Sequence, residues 1–174
     1  MSNASILFLS VRVLHVLLAA LWVGATAFAS LIVMPAIEES GPAAGPVMAG
    51  LMRRRVPMIM ATLGGVTALA GIWLYWRFTG GFNPELSRTM AARVFGAGGA
   101  SGILAVIIGG AVVSRNVKKA AALTPRATSL PDGPERAAVT AQISAMRRRA
   151  MVASRIVLLL QIIAVVLMAI GHYV

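Results

Sequence analysis

Four stretches, each about as long as a bilayer is thick and each free of Asp and Glu, limit what this chain can become. They run from about Ile6 to Ile37, Val56 to Trp76, Val94 to Val113 and Ile156 to Gly171. A span needs roughly 20 mostly apolar residues, and all four come near or beyond that. In lipid a lone strand leaves its backbone unpaired, so the spans are expected to be helices. Segments of alternating polarity are too few for a barrel. The expected fold is therefore all-α, a four-helix transmembrane bundle, with residues 1–174 forming a single integral membrane domain.

Composition agrees. Of the 174 residues, 59% are hydrophobic and only 12% charged. A soluble domain of this size carries about twice that charged fraction and has too small an interior for the surplus. No cysteine is present, which excludes disulfides and thiolate chemistry. Sixteen Lys and Arg face five acids, a net charge of +11. No basic patch is interleaved with stacking aromatics, so nucleic acid is not an expected partner. The segment Met1-Ser2-Asn3-Ala4-Ser5 has no basic residue before the first apolar stretch, which is also too long for a signal core. It reads as a retained first helix.

The placement of the basic residues predicts orientation. Arg53, Arg54 and Arg55 lie between the first two spans. Arg115, Lys118, Lys119, Arg126, Arg136, Arg147, Arg148, Arg149 and Arg155 lie between the last two. Only Arg12, Arg77, Arg88 and Arg93 fall on the other side. Twelve against four puts both large loops in the cytoplasm and both termini outside. Anionic headgroups at the cytoplasmic face are the expected lipid partner. Trp73, Tyr75, Trp76 and Tyr173 would form the outer aromatic belt.

The region of residues 114–155 is too long for a turn and is expected to be a cytoplasmic helical hairpin. Its third helix should continue through Lys118 and Lys119 to Leu123. A loop follows from Thr124-Pro125 to Pro134. Asp132 is the expected N-cap of a fourth helix unbroken to His172. Helices 3 and 4 thus extend into the cytoplasm. The second helix is expected to begin early, near Ala43 or Val47, and to bend at Pro57. Met52-Arg53-Arg54-Arg55 and Met146-Arg147-Arg148-Arg149 hint at a duplicated hairpin, although basic clusters flank cytoplasmic helix ends in any case.

Polar groups inside a membrane face the bundle or a cavity. At 100° per residue, Arg12, His15, Ala19, Trp22, Thr26 and Ser30 share one face of the first helix. Ser154, Gln161, Val165, Met168 and His172 share one face of the fourth. The only two histidines, His15 and His172, are therefore expected to approach each other near the outer surface. Imidazole is a common ligand of haem iron and copper, so both are candidate metal ligands. Arg12 is a candidate partner for a haem propionate, and Trp22 and Gln161 for positioning His15. In the plainer alternative His172 sits among headgroups and His15 hydrogen-bonds Gln161 or a carbonyl.

Small-residue stripes, Gly64-Ala68-Gly71 and Gly98-Gly102-Ala105-Gly109, are expected to let helices pack closely. The glycine-rich run from Gly96 to Gly102 lies inside a span and lacks the Lys of a phosphate loop. Seven methionines, Met34, Met48, Met52, Met58, Met60, Met146 and Met151, lie toward the cytoplasmic half. Met58 and Met60 are candidate Cu(I) ligands, with ordinary packing as the alternative. No carboxylate within a span can relay protons, and no nucleophile triad or zinc motif is present. Catalysis by the chain's own side chains is not expected.

The run Leu14-His15-Val16-Leu17-Leu18-Ala19-Ala20-Leu21-Trp22-Val23-Gly24-Ala25-Thr26-Ala27-Phe28 resembles the opening helix of the CopD-like (copper resistance protein D) family. The HemJ-like protoporphyrinogen oxidases have a similar helix. Met168-Ala169-Ile170-Gly171-His172-Tyr173 is similar to the ending of four-helix relatives. The resemblance implies a bacterial inner-membrane bundle associated with haem b or copper, and carries over only His15, Trp22 and Gly24. CopD-like proteins are longer, and the membrane Lys of the HemJ-like enzymes has no counterpart, since Lys118 and Lys119 lie beyond the span. The alternative function is a non-catalytic accessory subunit within a homo-oligomer or a larger membrane complex. Less expected is transport of a small solute.

Overall fold

The structure, a computed structural model, describes residues 3–41 and 44–174. It is all-α, with no strand among the described residues. We number the helices α1 (Asn3–Glu39), α2 (Ala44–Arg53), α3 (Val56–Phe78), α4 (Pro84–Ser87), α5 (Met90–Ser129) and α6 (Pro134–Ile170). Helices α1, α3, α5 and α6 are long and apolar enough to cross a membrane. They run up, down, up and down. Each packs on the next, and α1 meets α6 to close the ring.

The bundle is inside-out by the standards of a water-soluble protein. Between 11% and 22% of the most apolar window of each spanning helix is buried within the chain. Leu17, Leu21, Leu69, Leu104 and Leu159 are all half exposed or more. Water would not tolerate so much contiguous apolar surface, and lipid would. The chain is a multi-pass membrane protein.

Two of the four long helices contain a π turn. In α1 it spans Ala29–Val33, where Met34 N–H bonds the Ala29 carbonyl five residues back. Pro35 follows at once; it lacks an N–H and crowds the preceding turn, so the wider register accommodates it. In α5 the π turn spans Gly109–Ser114 and opens on a Gly-Gly pair. The other two long helices have no such interruption.

Three sequence expectations need correction. First, α2 and α3 are not one helix bent at Pro57. The chain breaks at Arg55, which takes the left-handed conformation (φ 53°, ψ 30°). Pro57 has no N–H to offer the Arg53 carbonyl, so α2 ends there and Pro57 enters the first turn of α3. Of the two expected starts, Ala43 lies outside the described residues, and α2 is already helical at Val47.

Second, residues 124–129 are helix rather than loop, and α5 passes through Pro125 to Ser129. Burial outweighs the lost hydrogen bond. Ala120, Ala127, Val139 and Ile143 form a core, with Leu123, Leu130 and Met146 packed around it. This joins the far end of α5 to the first half of α6. Third, Gly133, not Asp132, is the N-cap of α6. Gly133 is extended (φ 167°) and makes no side-chain cap, while Asp132 pairs with Arg136 one turn on. A second pair, Arg126 to Glu135 at 3.0 Å, spans the loop.

With 37 residues, α6 is about 55 Å long, nearly twice the hydrocarbon thickness. Its excess and that of α5 project from one end of the bundle, where Arg53–Arg55 also lie. We call this the basic end, and the opposite one, with Arg12 and His172, the histidine end.

Candidate functional site: a polar seam along the first helix

The expected polar face of α1 does point into the bundle. Trp22, Thr26 and Ser30 are buried, and His15 is partly so. The seam begins at the histidine end, where Arg12 Nη2 lies 2.9 Å from His172 Nε2. A guanidinium can only donate, so His172 Nε2 accepts and the ring's proton is on Nδ1. His172 itself is exposed and stacks edge-on against Phe95 at 5.2 Å.

One turn further in, His15 Nδ1 lies 2.9 Å from the Thr67 carbonyl of α3. A carbonyl can only accept, so Nδ1 carries the proton. In the neutral ring Nε2 then holds a free lone pair. This carbonyl bond is the plainer arrangement expected of His15; the same kind of bond also orients the free nitrogen of metal-ligating imidazoles. The same ring edge presses on α3 at Gly71, where an added Cβ would sit 2.8 Å from His15 Cε1. Its partner hairpin repeats the arrangement: Phe95, which precedes the π turn of α5 by as many residues as His15 precedes that of α1, lies against Gly171.

Deeper still, Trp22 covers Gly64 of α3, where a Cβ would come within 2.8 Å of the indole. Next, Gln161 of α6 reaches Thr26 of α1: Nε2 donates to Thr26 Oγ1 at 3.2 Å. Thr26 spends its own proton on the Trp22 carbonyl at 2.8 Å, so its oxygen can only accept and the amide orientation is fixed. Gln161 is 1% exposed, and its Oε1 has no hydrogen-bond partner. Ser30, fully buried in the π turn, donates to the Thr26 carbonyl at 2.7 Å.

The seam ends at a pocket lined by Met34, Ile37 and Glu38 of α1, Met48 of α2, and Arg147 and Met151 of α6. Arg147 Nε is buried there without a partner.

The expected residues are thus brought together in pairs rather than as one cluster. Arg12 meets His172, and Gln161 meets Thr26. Trp22 and Gln161, expected to position His15, engage other groups; Thr67 and Gly71 position it instead. A backbone carbonyl has no signature in a sequence, so Thr67 was not foreseeable, although the Gly64-Ala68-Gly71 stripe marked the right face. Met58 and Met60 do not converge: Met58 is 60% exposed, while Met60 packs inward near Trp22, Ala105 and Val157. Residues two apart on a helix face nearly opposite ways. The methionines that do converge, Met34, Met48 and Met151, were distinguished beforehand only by lying in the same half. Of the glycines in the α5 stripe, Gly98 seats α6 at Ala164, Leu167 and Met168, whereas Gly102 and Gly109 have open space beside them.

Comparison with protein families, curated proteins and solved structures finds no match to this chain.

Proposed function

We propose that this chain is a bacterial inner-membrane protein that handles copper, with His15 Nε2 as its imidazole ligand. The basic end faces the cytoplasm, and the termini face the periplasm. The observation that carries the proposal is the bond from His15 Nδ1 to the Thr67 carbonyl, which leaves Nε2 as the ligating nitrogen.

The geometry favours a single ion over haem. The whole Nδ1–Cε1–Nε2 edge of His15 faces α3 at Gly71, so a macrocycle on Nε2 would meet that helix. His172 is also a poor second axial ligand, because Arg12 occupies its Nε2. Arg12 is thereby drawn away from the propionate role considered for it. A bare metal needs only a bond of about 2 Å to imidazole. At the other end of α1, apart from His15, Met34, Met48 and Met151 line one pocket with Arg147; thioethers are the soft donors that Cu(I) prefers, and these would belong to a second site.

The test is metal analysis and visible spectroscopy on the purified full chain, after exposure to Cu(I) under ascorbate and, separately, to haemin. Stoichiometric copper that is lost in His15→Ala is the expected result. A Soret band that disappears in His15→Ala would move the assignment to haem. A wild-type protein that retains neither would overturn both.

One further observation favours an accessory, non-catalytic role. Arg12–His172 ties α1 to the end of α6, and His15–Thr67 ties α1 to α3, so both histidines also serve as helix clamps. Copper-free protein that co-purifies with a larger membrane complex, or as a homo-oligomer, would support that second function.

A further inference from the structure

On the outer flank of α3, at the basic end, six residues line a shallow, open groove. Two are arginines, Arg54 and Arg55, at its mouth. The other four, Met58, Ile59, Thr62 and Leu63, continue along the helix below them. Their spacing of three and four residues makes one continuous strip. Met58, Ile59 and Thr62 are exposed, whereas Leu63 at the foot of the strip packs against Trp22, Ala105 and Val157, so the strip runs from the outer surface to the edge of the bundle core.

Both guanidiniums are exposed, and neither has a hydrogen-bond or ion-pair partner among the described residues. The fold holds them at the mouth by unusual means. Arg55 is in the left-handed conformation, and its carbonyl accepts from both Met58 and Ile59 N–H, which fixes the break at the top of the strip. Arg54 lies over Gly50 of α2, where Nη1 would be 3.9 Å from an added Cβ.

Two unpaired cations above an apolar trough complement one class of molecule: a lipid with an anionic headgroup and an acyl chain. We propose that this groove retains one anionic phospholipid, its phosphate between Arg54 and Arg55 and its first acyl carbons along Met58, Ile59, Thr62 and Leu63. The groove begins where the apolar span begins, so headgroup and chain lie at the depths they occupy in a bilayer. Arg53 precedes the break and does not line the groove, which distinguishes this site from a general attraction of the basic end for lipid.

The test is native mass spectrometry of the purified full chain released from nanodiscs of phosphatidylcholine containing a minority of phosphatidylglycerol. One retained phosphatidylglycerol is expected on the wild type and on Arg53→Gln. The double variant Arg54→Gln/Arg55→Gln should retain it roughly thirtyfold less, as the loss of two arginines at a membrane surface would give. Ile59→Trp fills the trough without changing charge and should also reduce retention, while inorganic phosphate should not displace the lipid. Equal retention of phosphatidylcholine, unchanged retention in the double variant, or an equal loss in Arg53→Gln would each overturn the proposal. Helical content and elution volume, measured on every variant, separate loss of the lipid from loss of the fold.

Discussion

Gly71 determines how closely His15 approaches α3. A Cβ there would stand 2.8 Å from His15 Cε1, and the contact is with an aromatic ring already held by the Thr67 carbonyl. Gly71→Ala should therefore push the ring off its bond and cost about 1–3 kcal/mol, the range for overpacking. It should weaken copper retention as well. Gly65→Ala on the same helix meets nothing within 4 Å and should be neutral or stabilising by up to about 1 kcal/mol. Thermal unfolding in detergent compares the two, and equal losses would refute the close approach. Gln161 offers a second residue-scale test. Its bond to Thr26 is long at 3.2 Å, and its Oε1 is buried and unpartnered. Polar bonds inside a membrane average about 0.6 kcal/mol, whereas an unsatisfied buried group costs about 1–3 kcal/mol. Gln161→Leu should thus raise the unfolding temperature; a fall would mean that Oε1 has a partner in the membrane. Sequence periodicity put His15, Trp22 and Gln161 on faces that the fold turns inward, while Arg12 lies exposed at the rim. It did not show what they touch, because their partners are a carbonyl, a glycine surface and a hydroxyl that no spacing rule selects.

At the scale of the elements, the spans were legible because apolar length alone defines them, but their ends were not. Pro125 reads as a helix breaker, yet the helix continues because Ala120, Leu123 and Ala127 bury themselves against α6 on either side of it. Arg55 gives no local warning of a left-handed turn, which in a non-glycine residue costs roughly 1–2 kcal/mol. Arg55→Gly removes that cost but adds flexibility to the unfolded chain, for a net gain of about 0.5–1 kcal/mol. The same substitution removes one of the two cations at the groove mouth. A protein that is more stable in denaturation but retains less phosphatidylglycerol is the expected outcome. A stability loss on Arg55→Gly would show that the side chain itself holds the break together.

For the whole molecule, charge asymmetry makes a prediction that the fold leaves open. The chain contains no cysteine, so single substitutions give clean labels. Asn83→Cys, in the short loop at the histidine end, should react in intact cells with a membrane-impermeant maleimide. Ser129→Cys, at the tip of the projecting hairpin, should react only after lysis. The reverse pattern would invert the proposed topology and leave the closed ring of helices intact. That ring depends on a matter of phase. Each π turn fits one more residue into its winding than an α-helix would, so it offsets the two halves of its helix by about 100°. Deleting a single residue such as Leu31 would remove the surplus, restore a uniform α winding and leave the two halves of α1 facing as they do now. Met34 and Ile37 would then stay beside Met48, Arg147 and Met151, whereas winding the full sequence as uninterrupted α-helix would swing them about 100° away from those partners. The wider turn, by absorbing the extra residue, is what lets one helix keep His15, Trp22 and Thr26 on the bundle interior and Met34 and Ile37 on the projecting hairpin.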